Sequence, residues 1–147
     1  MASKPIIRRT ISTNSAPKPV APYSQAVKSD RTVYISGCVG LDKDTGNLVD
    51  GGVQNETRQA LINLGNVLKA AGSSYEKVLK TTVFLDDIND FNAVNEVYKE
   101  FFKNDFPART ALQVGKLPIG AKIEIEAIAS TGDVIQEQSL IITFPSS

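Results

Sequence analysis

The sequence predicts a single α+β domain in which two helices pack on one face of a mixed β-sheet. Three observations predict it. A chain of 147 residues has room for one core and no second domain, so the domain is taken as residues 1–147. Two segments carry apolar residues at helical spacing. The other apolar segments are short, β-branched and alternating, which gives the order β-β-α-β-α-β-β, with a short extra strand possible at the N-terminus.

Residues 4–22 are rich in Pro, Ser and Thr, and proline lacks an amide donor, so only short extended pieces such as "IIRRTIS" are expected there. "SQAVKSDRTVYISG" reads as a hairpin turning near Ser29 and Asp30, with Val33 and Ile35 on one face and Tyr34 and Ser36 on the other. The strand is expected to stop at Gly37 or soon after, and "LDKDTGNLVDGG" is loop. Over residues 53–71, Val53, Ala60, Leu61, Leu64, Val67, Leu68 and Ala71 mark one face of a long helix that Gly72 terminates.

"KVLKTTVFL" follows as a central strand, apolar on both faces. A second helix is expected from Asn89 as its cap, with Phe91, Val94, Tyr98 and Phe101 in one stripe, and Pro107 closes that region. "RTALQVG" and "KIEIEAIAS" then form two strands around the turn "KLPIGA". Alternation assigns Thr110, Leu112 and Val114, and in the last strand Ile123, Ile125, Ala127 and Ala129, to the helix side. The opposite face then carries Tyr34, Arg109, Ala111, Gln113, Glu124, Glu126 and Ile128, a half-apolar surface that another subunit should cover. The tail is polar until "LIITF", which is either a docked strand or a mobile end.

Composition narrows the chemistry. Sixteen basic residues balance sixteen acidic ones, so no long-range field gathers nucleic acid or anionic lipid, and nucleic acid is not expected as the main partner. No apolar run approaches a membrane span, and the start lacks the apolar core of a secretory signal. The lone Cys38 suits a reducing compartment, which makes the cytoplasm the expected location. Arg8, Arg9 and the Ser/Thr content keep a mitochondrial leader as the alternative.

With no histidine, imidazole-based triads and zinc sites are out of reach, and no phosphate-loop or dinucleotide signature occurs. Carboxylates, arginine, tyrosine and hydroxyls remain. Arg109 is either a solvated strand-start residue or a guanidinium waiting for a carboxylate from protein or substrate. Glu124 is either an ordinary salt-bridge partner or part of a site shared with Arg109. A simple hairpin centred in "LPIG" would pair Glu124 near Gln113 and leave Arg109 about 13 Å along, so a shared site would need a second subunit. Tyr23, Ser36, Cys38 and Asn95 are weaker candidates, each also explicable as core, strand end or helix surface.

"APYSQAV", "ISG", "QALINLGNVLKAAG", "KTTVFLDDINDFNAVNEVYKEFF", "FPART" and "KIEIEAIA" together resemble the RidA/YjgF family of reactive intermediate deaminases, over about residues 6–131. The tail, 132–147, finds no match. The resemblance implies a chorismate-mutase-like fold, a homotrimer with active sites between subunits, and hydrolysis of 2-imino acids such as 2-iminobutanoate and 2-iminopropanoate to 2-oxo acids and ammonium. No cofactor is implied, since an imine is already reactive. By motif, Arg109 matches the arginine that holds the substrate carboxylate and Glu124 the residue that handles water or protons, with Tyr23, Ser36, Gly37 and Asn95 at further site positions. Ala111 stands where many bacterial members have cysteine, Cys38 where glutamine is frequent, and Ala21 where "GPY" has glycine. Two other functions stay open: a ribonuclease or translation inhibitor, and a non-catalytic carboxylate-binding or chaperone-like protein.

Overall fold

A computed structural model describes residues 1–140. Six strands and two α-helices alternate as β1 (Arg8–Ile11), β2 (Ala26–Ser29), β3 (Thr32–Val39), α1 (Val53–Ala70), β4 (Val78–Leu85), α2 (Phe91–Phe101), β5 (Ala108–Gln113) and β6 (Ile123–Ser130). They form one mixed sheet in the order β1-β2-β3-β6-β4-β5. Only β4 and β5 run parallel; the remaining pairs are antiparallel.

The hairpin of β2 and β3 pairs Ser29 with Thr32, and Asp30 takes a positive φ of 52° to close the turn. β1 adds the expected extra strand along β2. In α1 the stripe Leu61, Leu64 and Leu68 is fully buried against Val33, Ile35, Val83, Ile123 and Ile125. Each such side chain contributes about 1.5–3 kcal/mol of transfer free energy. Gly72, at φ 79°, ends the helix: its amide and that of Ser73 return to the carbonyls of Lys69 and Leu68.

Three expectations fail. Asn89 does not cap the second helix; Asp87 instead accepts from the Asn89 amide at 2.9 Å and starts a 3-10 turn, Ile88–Asp90, that leads into α2. β5 does not form a hairpin with β6. It pairs in parallel with β4, while β6 inserts between β3 and β4, and "KLPIGA" is a crossover containing the 3-10 turn Pro118–Gly120. The facing of β5 is therefore reversed.

Paired residues share a sheet face. Arg109 lies opposite buried Thr81 and Ala111 opposite buried Val83, so both point to the helices, whereas Leu112, opposite Phe84, points away and is 39% exposed. The reversal has a physical cause. Alternation separates two faces without naming the core, and in β5 the more polar face, with Arg109, Ala111 and Gln113, is the one that turns toward the helices. The uncovered face still carries Tyr34, Phe84, Leu112, Glu124, Glu126 and Ile128, as alternation in β3 and β6 implies. The "LIITF" run, 140–144, lies outside the described residues except for Leu140, which is exposed.

Candidate active site

The six site residues read from the sequence fall into two groups, one on each side of the sheet. The first is built on β5 and α2. Arg109 projects beneath α2, where its Nη1 donates to Asn95 Oδ1 at 2.8 Å. Its Cζ lies 4.7 Å from the centroid of the Tyr98 ring and 5.5 Å from that of Phe91. Tyr98 is itself buried, its hydroxyl 2.8 Å from Thr81 Oγ1. Burial raises the Tyr98 pKa from the ordinary phenol range, an effect that the Thr81 hydrogen bond and the Arg109 charge oppose. Among the described residues no carboxylate lies within ion-pair distance of Arg109.

The second group is built on the irregular end of β3. Ile35 pairs with Ala127 and Cys38 with Ile125, so three steps on β3 match two on β6 and the extra residue forms a bulge at Ser36 and Gly37. The bulge brings the Gly37 backbone against the Glu124 carboxylate, and a methyl group at Gly37 would overlap Glu124 Oε1. Ser36 Oγ donates to the Ser24 carbonyl at 2.6 Å and its amide to the Gln25 carbonyl, which tethers β3 to the loop carrying Tyr23. Tyr23 is 51% exposed on a three-residue turn around Pro22, its amide bonded to the Ala21 carbonyl. Tyr23, Ser36, Gly37 and Cys38 share a cavity of about 210 Å³ with Asn63 and Ile119.

Glu124 is partly buried, and its pKa is raised from the ordinary carboxylate value first by desolvation and then by the charge of Glu126. That shift is toward the range useful for proton transfer near neutral pH. Removing the neighbouring charge in Glu126→Gln relieves the destabilisation of ionised Glu124. The limb of the pH–rate profile belonging to Glu124 is then expected at lower pH than in the wild type, and an unmoved limb would assign it elsewhere.

Cys38 belongs to the wall rather than to the reactive set. Part of the residue reaches solvent, but the packing around its sulfur is dense and the thiol donates to the Ser36 carbonyl at 3.5 Å. Burial, reinforced by Glu124, pushes its pKa up to about 12. At pH 8 the folded protein should therefore resist iodoacetamide and gain one adduct by mass spectrometry only after denaturation. Rapid native labelling would contradict this packing.

One chain does not bring Arg109 and Glu124 together. Arg109 is in register with Thr81 and Ala127, two strand spacings across, or about 9.5 Å, and Glu124 lies three residues further along β6, about 10 Å, on the other face. Asn95, read as a substrate contact, is engaged in orienting Arg109. Sequence reasoning missed Phe91 and Tyr98 as part of this group, because a helical aromatic stripe reads as core. The available signal was their spacing of four and three around Asn95, which puts all three on one helix face.

Fold and geometry define a class: an α+β protein offering a preorganised guanidinium and, separately, a carboxylate of raised pKa. The chain belongs to the RidA/YjgF family, whose sequence profile, described as endoribonuclease L-PSP, matches residues 13–131. A Homo sapiens protein named 2-iminobutanoate/2-iminopropanoate deaminase is 60% identical over 127 residues, covering 86% of this chain and 93% of that one. RidA from the Antarctic bacterium Psychrobacter superposes with a TM-score of 0.80 at 43% identity, covering 83% of this chain and 98% of that one. E. coli TdcF, solved with bound serine, gives a TM-score of 0.80 at 39% identity, covering 84% and 99%.

Proposed function

We propose that this protein hydrolyses reactive 2-imino acids, with 2-iminobutanoate and 2-iminopropanoate as the substrate class, to 2-oxo acids and ammonium. The observation that carries the proposal is Arg109: a cation fixed by an amide and two aromatic rings, with no carboxylate of the described chain to neutralise it. Such a fork suits a small carboxylate held by charge-assisted hydrogen bonds. The mammalian relatives named for this activity, 56–60% identical, support the same substrate class. The serine bound to the E. coli relative, a small amino acid with a carboxylate, is of matching chemistry.

The reaction needs three things. Arg109 fixes the carboxylate and so orients the C=N bond. Water then adds to the imine carbon while a proton reaches nitrogen, and the C–N bond breaks as the hydroxyl proton departs, giving the 2-oxo acid and ammonia, protonated in water. Glu124 is the group placed to relay those protons, with Tyr23, Ser36 and Gly37 lining its side of the cleft.

Because Arg109 and Glu124 occupy opposite sheet faces, a four-carbon substrate can meet both only if a second copy supplies one of them. We therefore place the site between subunits of a homotrimer, whose formation would also cover the apolar residues of the open face. No helix among the described residues is long and apolar enough to cross a membrane. The lone cysteine is the ground for proposing the cytoplasm, with a mitochondrial location as the alternative.

The test generates the imine in situ with a serine or threonine dehydratase in the presence of a trapping amine. The wild type is expected to raise 2-oxo acid release above the uncatalysed rate, and no acceleration would sink the proposal. Sedimentation should show a trimer; a fully active monomer would remove the shared site. RNA is a poorer fit, since a zero net charge gives no overall attraction for phosphate backbones and no histidine is present to act near neutral pH.

A further inference from the structure

We propose that Phe91 and Tyr98 are positioning residues for Arg109, a cation–π clamp that presets the guanidinium for the substrate carboxylate. The inference rests on the assignment of Arg109 as the carboxylate holder and goes beyond it by naming what holds the holder. Phe91, Asn95 and Tyr98 lie on one face of α2, and all three address the same side chain: the rings its planar surface, at 5.5 and 4.7 Å, and the amide one end, Nη1, at 2.8 Å.

Tyr98 is a rigid base. It is tied to Thr81 through its hydroxyl and stacked on Phe102 at 4.5 Å, and Phe102 in turn meets Tyr75 edge-on. Phe91 differs. At 37% exposed it stands at the rim, outside the buried core cluster, with its ring beside the cation.

With ring faces and Nη1 engaged, no partner among the described residues takes Nε or Nη2. That leaves one edge of the fork, two nitrogens wide, for a carboxylate. An arginine otherwise surrenders much rotamer freedom on binding an anion, and a clamp that orders it beforehand makes binding tighter without a new contact to the ligand. A lysine ammonium would lack both the flat face and the planar pair of parallel donors.

The experiment compares Phe91→Leu, Phe91→Met and Phe91→Tyr, using 2-oxobutanoate as the calorimetric probe and 2-iminobutanoate turnover as the second readout. Leucine and methionine keep an apolar side chain without the ring quadrupole; tyrosine keeps the ring. The two non-aromatic variants are expected to weaken 2-oxobutanoate by roughly 3- to 30-fold and to raise KM in parallel, with kcat nearly unchanged. Phe91→Tyr is expected to stay close to the wild type.

Unchanged affinity in both non-aromatic variants would overturn the clamp, as would a tyrosine variant impaired as much as leucine. Wild-type protein that fails to bind 2-oxobutanoate at all would overturn it together with the role of Arg109. Wild-type protein that binds the oxo acid but does not hydrolyse the imine would defeat only the deaminase reading, since the calorimetric comparison still decides the clamp.

Discussion

Replacing Arg109 with alanine is expected to lower kcat/KM for 2-iminobutanoate by on the order of 10²- to 10³-fold, chiefly through KM. Hydrogen bonds to charged groups contribute about 1.5–3 kcal/mol each, and the variant forfeits two of them while leaving the substrate carboxylate without a partner. The effect falls on KM because the carboxylate keeps its charge in ground and transition states alike, so the interaction is uniform. Arg109→Lys should recover only part of the loss: an ammonium restores charge but not the fork or the flat surface held by Phe91 and Tyr98. Steady-state kinetics on the trapped-imine assay checks this, and an alanine variant with wild-type KM would show that the carboxylate is held elsewhere.

Glu124→Gln should act on the other parameter. The amide has nearly the same shape but cannot relay protons, so kcat is expected to fall by about 10²- to 10⁴-fold with KM little changed. The pH–rate limb assigned to the raised Glu124 carboxyl should vanish with it, whereas Glu126→Gln only moves that limb downward. Retention of kcat in the Gln variant would transfer the proton relay to another group. Because Gly37 lies against Glu124, any side chain introduced there should reproduce part of the defect by displacing the carboxylate rather than by removing it.

Several elements were legible because they depend on neighbours in sequence. The α1 stripe, the Gly72 stop and the β2–β3 turn at Asp30 all follow from helical spacing or from backbone conformations that few residues adopt cheaply. The motif resemblance placed Arg109 and Glu124 as the two principal residues, and the prospect that one chain would not unite them also stands, though for a different reason. Sequence reasoning set them apart along one hairpin face; the structure sets them on opposite faces of the sheet. Asn89 was a reasonable cap by residue type, yet Asp87, two residues earlier, captures its amide, and local propensity does not choose between two such side chains.

What the sequence by itself determined was the order of elements, the balance of charge and the chemistry at hand: without histidine, carboxylates, arginine, tyrosine and hydroxyls remain. Only the tertiary structure decided that β5 lies parallel to β4, that Arg109 therefore turns under α2 into a cage of Asn95, Phe91 and Tyr98, and that Glu124 looks out from the other face. The reason is that alternation is a property of one strand, whereas a strand's neighbour is chosen by hydrogen bonds and packing between residues far apart in the chain. In the edge strand β5 the face with Arg109 and Gln113 reads locally as the outward one, and only its pairing with β4 turns it toward the helices.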